Sequence, residues 1–125
     1  VEDLRVRANA DVHLIEGVGG VMVPLNPRET VLDWIEATHA PAVVVTGSYL
    51  GALSHTLTCL EALRVRGLPV AGVVVSASPE GVDLEETARS LRHHTRTRVE
   101  VVPRLAGEEP WRRAPDLTWL ISRPG

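Results

Sequence analysis

Short apolar runs rich in valine alternate along the chain with segments in which apolar residues recur at helical spacing. The runs predicted to be strands occupy residues 42–46, 70–75 and 99–102. Between the first two, leucines recur at the spacing of one helix face, namely Leu53, Leu57, Leu60 and Leu63. Strands joined through helices of this length pair in parallel, with right-handed crossovers. The pattern therefore predicts an α/β fold with an open parallel sheet and flanking helices.

Other segments extend this pattern at both ends of the chain. Residues 12–15 form a fourth apolar run, predicted to be another buried parallel strand. The segment that begins at Asn26 has apolar residues at helical spacing and is predicted to end its helix before Pro41. Asp83 is the predicted N-cap of a later helix. The tail, residues 117–121, is predicted to form a helix that packs back on the sheet.

The composition is that of one globular domain, with 125 residues of which 44% are hydrophobic and 23% charged. We expect a single α/β domain over residues 1–125. A net charge of −3 gives no electrostatic reason to expect a nucleic-acid or anionic membrane partner. The apolar runs are far shorter than the roughly 20 residues that span a bilayer, and the first residues lack the apolar segment of a signal peptide. We therefore expect a cytoplasmic protein.

The basic residues bear on nucleotide chemistry, because all thirteen of them are arginine. A Walker A loop, GxxxxGK[ST], needs a lysine that reaches the β and γ phosphates. The chain also begins with Val1 rather than methionine. We expect any nucleotide chemistry to borrow that loop from outside this chain.

The predicted strand at residues 12–15 ends at Glu16 and a glycine-rich turn with Gly17, Gly19 and Gly20. A carboxylate at a strand end can hold a hard cation such as Mg²⁺, and glycines let a ligand approach the backbone closely. A tight turn without a ligand is the alternative interpretation. The turn is not a dinucleotide-binding GxGxxG motif, because Met22 stands where the last glycine would be.

The strand at residues 42–46 leads through Gly47 and Gly51 directly into the leucine-striped helix. Backbone N–H groups and the dipole at a helix start favour an anion, so a carboxylate or a phosphate could bind there. Capping by the polar side chains of Ser54 and His55 is the alternative interpretation. The GxSxG motif of serine hydrolases is not matched, because Tyr49 and Leu50 follow Ser48.

Taken together, residues 10–75 closely resemble dethiobiotin synthetases. Three blocks occur in the family's order: EGVGGVMVPL at 16–25, LGALSHTLTCLEAL at 50–63, and RGLPVAGVV at 66–74. The resemblance implies the C-terminal half of a homodimeric P-loop NTPase-like enzyme, truncated on its N-terminal side. It also implies the reaction: 7,8-diaminononanoate is carboxylated with carbon dioxide or bicarbonate, ATP phosphorylates the carbamate, and the ring closes with loss of phosphate.

The same resemblance implies roles for individual residues. Glu16 would ligate Mg²⁺, and the glycines of its turn would border the phosphates and the substrate: Gly17, Gly19 and Gly20. The start of the second helix, contributed by the partner subunit, would receive the substrate carboxylate through Gly51, Ala52, Leu53 and Ser54. No residue of this chain is assigned a catalytic role, because the family's phosphate loop, catalytic lysines and magnesium-binding aspartate lie in its front half. The chain alone is therefore expected not to turn over. The resemblance also implies that the first strand of the front half pairs beside the strand expected at residues 12–15, which would otherwise leave an apolar sheet edge exposed. We therefore expect a complementing N-terminal segment that carries the phosphate loop, either another chain or part of a longer precursor.

Nucleotide recognition is the point at which the chain departs from the family. Many relatives place an asparagine after the third strand to bind the base, whereas this chain has Ser76. A hydroxyl replaces the donor and acceptor of an amide, which leaves the preferred base open. A proline-bearing loop after the fourth strand lies near the base in the family, and Pro103 is its equivalent by position.

Two other interpretations stay open from the sequence. One is a non-catalytic binding or assembly module derived from a P-loop amidoligase, favoured by the absence of lysine and by Ser76. The other is a relative of the P-loop amidoligases of cobalamin synthesis, against which the block at 50–63 argues.

Overall fold

The computed structural model describes residues 10–121. Described residues up to Ala40 form one compact unit, and those from Pro41 onward form a second. The first unit contains helix α1, Val31–Thr38. The second contains three strands and two helices in the order β1 Ala42–Gly47, α2 Ala52–Val65, β2 Val70–Ser76, α3 Leu84–His94 and β3 Val99–Val102. Two short 3-10 helices, Pro110–Arg113 and Thr118–Leu120, follow.

The three strands form one parallel sheet in the order β1, β2, β3. Thr46 pairs with Val75, and Val75 pairs with Val101 on the other side, so the strands are in register to their carboxyl ends. Each pair of neighbouring strands is joined through a helix, as the alternating pattern predicts. The structure and the sequence therefore agree on an open parallel α/β sheet with flanking helices.

The core lies between one face of this sheet and helices α2 and α3. Val73 and Val75 are fully buried on that face, and Leu63 of α2 and Leu91 of α3 are fully buried opposite them. Burying a side chain of this size contributes about 1.5–3 kcal/mol. These side chains hold the strands, and hence the loops after them, in fixed positions.

Helix α2 confirms the predicted leucine-striped helix, although its most buried residues lie beside the stripe. Ala52 and Thr56 are buried, whereas Leu53 is 38% exposed and Leu63 is the fully buried leucine. Small side chains let the start of the helix approach β1, where the Thr56 and Thr46 hydroxyls lie 2.9 Å apart. The helix ends with Gly67 in the left-handed conformation (φ 67°), a position that favours glycine.

The caps of α1 and α3 explain where these helices begin. Thr30 and Asp33 form a capping box, in which the Asp33 carboxylate accepts from the Thr30 N–H at 2.7 Å. The Asp83 carboxylate accepts from the Glu86 N–H at 2.7 Å, which confirms Asp83 as an N-cap. Both helices predicted from apolar spacing and cap residues are therefore present.

The strand predicted at residues 12–15 is wrong. This segment is irregular, and its apolar side chains are exposed, with Leu14 at 85%. A strand exists only where its backbone N–H and C=O groups meet a partner strand. These residues find no ladder partner within residues 10–121, so an apolar run alone is not enough to form a strand.

The tail packs back on the sheet as predicted, but as a 3-10 turn instead of an α-helix. Trp119 and Leu120 cover Gly72 of β2 so closely that a Cβ at Gly72 would lie 2.6 Å from Leu120 Cδ2. The Arg98 guanidinium lies 4.0 Å from the Trp119 ring centroid, a cation–π contact. A side chain larger than that of glycine at this position would therefore displace Trp119 and Leu120 from the sheet.

Within residues 10–121, no helix combines the length and the apolar character that a membrane crossing requires.

Candidate functional site

The carboxyl ends of the three strands lie side by side and form the edge at which open parallel α/β sheets bind ligands. Gly47 at the end of β1 pairs with Ser76 at the end of β2, and Ser76 pairs in turn with Val102 at the end of β3. Ser76 therefore occupies the middle of this edge. The loops after the three strands begin from neighbouring positions, as the parallel pattern predicts.

The start of α2 is shaped by Gly51, its N-cap, which adopts a left-handed conformation (φ 95°) that glycine tolerates best. The Ala52 N–H donates to the Tyr49 carbonyl at 3.0 Å, and Ala52 is buried. Leu53 and Ser54 are exposed, and the first turn contains no acidic residue. The exposed first turn of a 14-residue helix combines N–H groups, a hydroxyl and the positive end of a helix dipole.

Tyr49 and His55 flank this helix start. The Tyr49 hydroxyl lies 3.3 Å from His55 Nδ1, and the two rings are tilted, with centroids 6.0 Å apart. A Cβ at Gly51 would lie 3.6 Å from His55 Cε1, so the imidazole lies against the glycine. His55 thus closes one side of the helix start in addition to extending its polar surface.

Ser76 and Pro103 belong to the loops after β2 and β3. Ser76 is half-buried, and its carbonyl accepts from the Ser48 N–H at 3.2 Å. The following residue, Ala77, donates its N–H to the Val102 carbonyl at 2.9 Å. Pro103 is exposed directly after that strand. The structure therefore places the two predicted nucleotide-contacting residues at the ends of neighbouring strands.

Glu16 and its glycines lie in the unit that ends at Ala40, where all four residues are exposed. Gly19 has a φ of 79°, and the Gly20 carbonyl accepts from the Val23 N–H at 3.0 Å, which closes a tight turn. A Cβ at Gly17 would lie 3.3 Å from Val31 Cγ1. The turn itself thus favours glycine at position 19, and a Cβ at Gly17 would be tightly packed, whereas a Cβ at Gly20 would meet no atom within 4 Å.

Glu16 offers one carboxylate to a metal ion. Residues 10–121 contain no group of three His, Cys, Asp or Glu side chains that could hold a metal. Mg²⁺ is commonly bound by one or two carboxylates together with substrate phosphates and water. A single exposed carboxylate fits that mode of binding and does not fit a metal site built from protein ligands alone.

Ser48 is a residue of this edge that the sequence did not single out for a role at the site. It is 2% exposed and bonds through its N–H, its carbonyl and its hydroxyl to the chain after β2. The available signal was its position directly after a strand that ends in Gly47. Serine is common directly after strands, so this position alone does not predict a role for Ser48 at the site.

Comparison with known proteins adds to these observations. Residues 1–113 match the protein family described as AAA domain. The ATP-dependent dethiobiotin synthetase of Phenylobacterium zucineum is 51% identical over 90 residues, which are 70% of this chain and 38% of the synthetase. That of Acidiphilium cryptum is 51% identical over 82 residues, 65% of this chain and 37% of the synthetase. That of a Caulobacter species, strain K31, is 53% identical over 78 residues, 62% of this chain and 34% of the synthetase.

The resemblance seen in the sequence blocks is confirmed by these matches. The chain spans less than two fifths of the length of each of these three relatives.

Proposed function

The chain belongs to the AAA domain family, and on that premise we propose that it is the C-terminal part of an ATP-dependent dethiobiotin synthetase of biotin biosynthesis. The observation that carries the proposal is the position of the family blocks in the fold. The block at 50–63 begins with the glycine N-cap and exposed first turn of α2, and the block at 66–74 forms most of β2, which ends at Ser76. These two family blocks thus coincide with the edge where such sheets bind ligands.

The proposed reaction joins 7,8-diaminononanoate to carbon dioxide or bicarbonate and closes the ureido ring. ATP supplies the phosphoryl group that activates the carbamate, and the attack of the second amine releases phosphate. The residues of this chain hold and orient the reactants in this scheme. Proton and phosphoryl transfer depend on groups in the front half, so the isolated chain is proposed to be inactive.

The substrate carboxylate is proposed to bind at the start of α2, contributed by the partner subunit of a homodimer. The first turn carries exposed Leu53 and Ser54 and no carboxylate that would repel an anion. The Ala52 N–H already donates to Tyr49 O, so Gly51, Leu53 and the Ser54 hydroxyl are the better candidates. An anion gains about 0.3–1 kcal/mol from the dipole at such an exposed position.

The nucleotide is proposed to lie across the ends of β2 and β3, between Ser76 and Pro103. Ser76 is half-buried and offers one hydroxyl where an amide could match a base with both a donor and an acceptor. We therefore propose weak discrimination among nucleotide bases at this position. Gly17, Gly19 and Gly20 are proposed to border the phosphates.

Magnesium is proposed to be held by Glu16 together with nucleotide phosphates. The ion would neutralise charge on the phosphates and hold them for transfer. A single exposed carboxylate is compatible with that role, and the remaining ligands would come from the nucleotide, water and the segment that carries the phosphate loop.

A complementing segment is also part of the proposal. In the unit after Pro41, the hydrogen-bonded Thr46 faces α2, so alternation places Val43 and Val45 on the opposite face of β1. Val43 is 38% and Val45 68% exposed. These exposed valines on β1, an edge strand of the described sheet, support the idea that more protein covers this face. The single domain over residues 1–125, the homodimer and a cytoplasmic location remain predictions.

A chimera tests the proposed function. This chain replaces the matching part of the Phenylobacterium zucineum synthetase, and phosphate release is measured with and without diaminononanoate. Release that depends on ATP, Mg²⁺ and diaminononanoate, with dethiobiotin as product, is the expected result. The unaltered synthetase is the positive control, and the chimera with Glu16→Ala is the negative control. A folded chimera that binds nucleotide but forms no dethiobiotin would contradict the proposal and favour a non-catalytic binding module.

A further inference from the structure

Ser48 lies buried between the loop that leads into α2 and the loop that follows β2. Its N–H donates to Ser76 O at 3.2 Å, its hydroxyl oxygen accepts from the Ser78 N–H at 3.1 Å, and its carbonyl accepts from the Val82 N–H at 2.7 Å. One residue therefore bonds to the last residue of β2 and to two positions of the loop that follows it. Ser48 is only 2% exposed, so its two backbone bonds and its hydroxyl bond are largely shielded from water.

Gly81 shows how closely the loop approaches Ser48. A Cβ at Gly81 would lie 2.9 Å from Ser48 Oγ and 3.0 Å from Ser48 C, closer than such atoms normally come. The contact involves backbone atoms, which cannot rotate away as the end of a flexible side chain can. The loop is thus seated on Ser48 by hydrogen bonds and by the absence of a side chain at Gly81.

We propose that Ser48 is a positioning residue for nucleotide binding, which fixes the loop of residues 76–82 so that Ser76 faces the base. The inference rests on the proposed function, because that function places the nucleotide at Ser76. The loop before α2 contains Ser48 and leads to Gly51, so the same residue also ties the nucleotide side of the site to the helix start proposed for the substrate. Ser48 itself touches neither ligand.

The hydroxyl group, and not the packing of the side chain, explains why serine occupies position 48. Alanine would fill nearly the same buried space, so packing alone does not require serine. Alanine would, however, leave the half-buried Ser78 N–H without its acceptor, and an unpaired donor away from water is costly. The serine is therefore explained by the loop that it holds.

Amide hydrogen exchange on the 125-residue chain tests the bond without requiring activity. Ser48→Ala is expected to lower the protection of the Ser78 amide by about fivefold, the loss of one neutral hydrogen bond. The Val82 amide, bonded to a backbone carbonyl, is expected to change less. Ser90→Ala, which removes a half-buried hydroxyl from α3, is the matched control and should leave both amides unchanged. Unchanged protection at Ser78 in Ser48→Ala would overturn the inference.

Steady-state kinetics on the chimera test the positioning role. Ser48→Ala is expected to raise the KM for ATP about threefold to tenfold, while kcat and the KM for diaminononanoate stay near those of the parent and of Ser90→Ala. A purely structural role would lower kcat through the loss of active enzyme and leave both KM values unchanged. That outcome would overturn the inference while leaving the proposed function intact.

Gly81→Ala tests the same contact from the side of the loop, because the added methyl group would clash with Ser48 and displace the loop. The double variant with Ser48→Ala is expected to raise the KM for ATP by less than the product of the two single effects, because both substitutions act on one loop position. Multiplicative effects would count against a shared mechanism. An inactive parent chimera would instead overturn the proposed function and the nucleotide role together, and the exchange measurement would then describe a structural bond only.

Discussion

The edge of the sheet after β1, β2 and β3 and the turn after Glu16 carry similar glycine-bearing blocks, yet they differ in how they are held. Ser76 is joined by the sheet ladder to strands on both sides, and Ser48 is buried with three hydrogen bonds to the next loop. Glu16 and its glycines are exposed, and the preceding residues 12–15 belong to no strand.

The difference shows what a strand-end site needs. A parallel ladder fixes the position of the last residue of each strand, and it therefore also fixes the point at which the following loop begins. An apolar run followed by glycines has the same local features, but without a neighbouring strand its backbone has nothing to pair with. The predictions below test this contrast between the sheet edge and the Glu16 turn.

The largest expected effect compares a buried leucine of the helix that packs on the sheet with an exposed leucine just before the Glu16 turn. Leu63→Ala should destabilise the chain by about 2–5 kcal/mol, because the side chain is fully buried beside the sheet. Leu14→Ala, at 85% exposure, should change the free energy of unfolding by no more than about 0.5 kcal/mol. Urea denaturation followed by circular dichroism measures both. A similar cost for the two leucines would mean that residues 12–15 are packed in solution.

The next effect tests the function of the Glu16 turn. In the chimera, Glu16→Ala should lower kcat for dethiobiotin formation by about a hundredfold or more, because a ligand of the metal that neutralises phosphate charge is removed. Glu29→Ala, an exposed carboxylate of the same unit, is the matched control. Near-normal turnover of Glu16→Ala over a range of Mg²⁺ concentrations would remove Glu16 from the metal site.

A smaller effect tests how the sheet edge is tied to α2. Thr56→Val keeps the shape of a buried side chain but removes the hydroxyl that lies 2.9 Å from Thr46 Oγ1 and donates to Ala52 O at 2.7 Å. We expect a loss of about 1–2 kcal/mol in the free energy of unfolding. Thr58→Val on the exposed side of the helix serves as the control. Equal stability of the two variants would show that the buried hydroxyl contributes nothing.

The smallest effect is a pH dependence of the tail. The Thr118 hydroxyl and N–H donate to Asp116 at 2.6 and 2.9 Å and lower the pKa of this carboxyl. A lowered pKa means that its contribution to stability is present above the unfolded-state value, near 4, and is lost as the pH falls through the folded-state value. With Trp34 and Trp111 replaced by phenylalanine, Trp119 fluorescence should report a looser tail on acidification, and Asp116→Asn should remove that part of the transition. An acid transition unchanged in Asp116→Asn would exclude this carboxylate.

Part of the candidate site could be predicted from the sequence. The resemblance to dethiobiotin synthetases implies roles for Gly51, Ser76 and Pro103, and the structure places Gly51 at the start of α2 and the other two at the ends of β2 and β3. Ser48 was not assigned a role, because its partners are the backbone N–H groups of Ser78 and Val82, distant in sequence. Sequence patterns show which residue types occur together, but not which backbone groups a fold brings within hydrogen-bonding distance.

The sequence by itself determined the elements that depend on local chemistry. Valine-rich runs, leucines at helical spacing and the cap at Asp83 indicate strands and helices without tertiary information, because propensity and capping act within a few residues. The parallel order of the sheet follows from the same alternation, since short helical crossovers allow few other arrangements.

The tertiary structure alone decided features that depend on distant partners. It decided that residues 12–15 are not a strand, that Ala52 and Thr56 instead of Leu53 face the sheet, and that Gly81 lies against Ser48. Each of these depends on what lies across a ladder, a helix contact or a loop contact. Hydrogen bonds and close packing extend only a few ångströms in space, whatever the separation along the chain, and the fold determines which residues come that close.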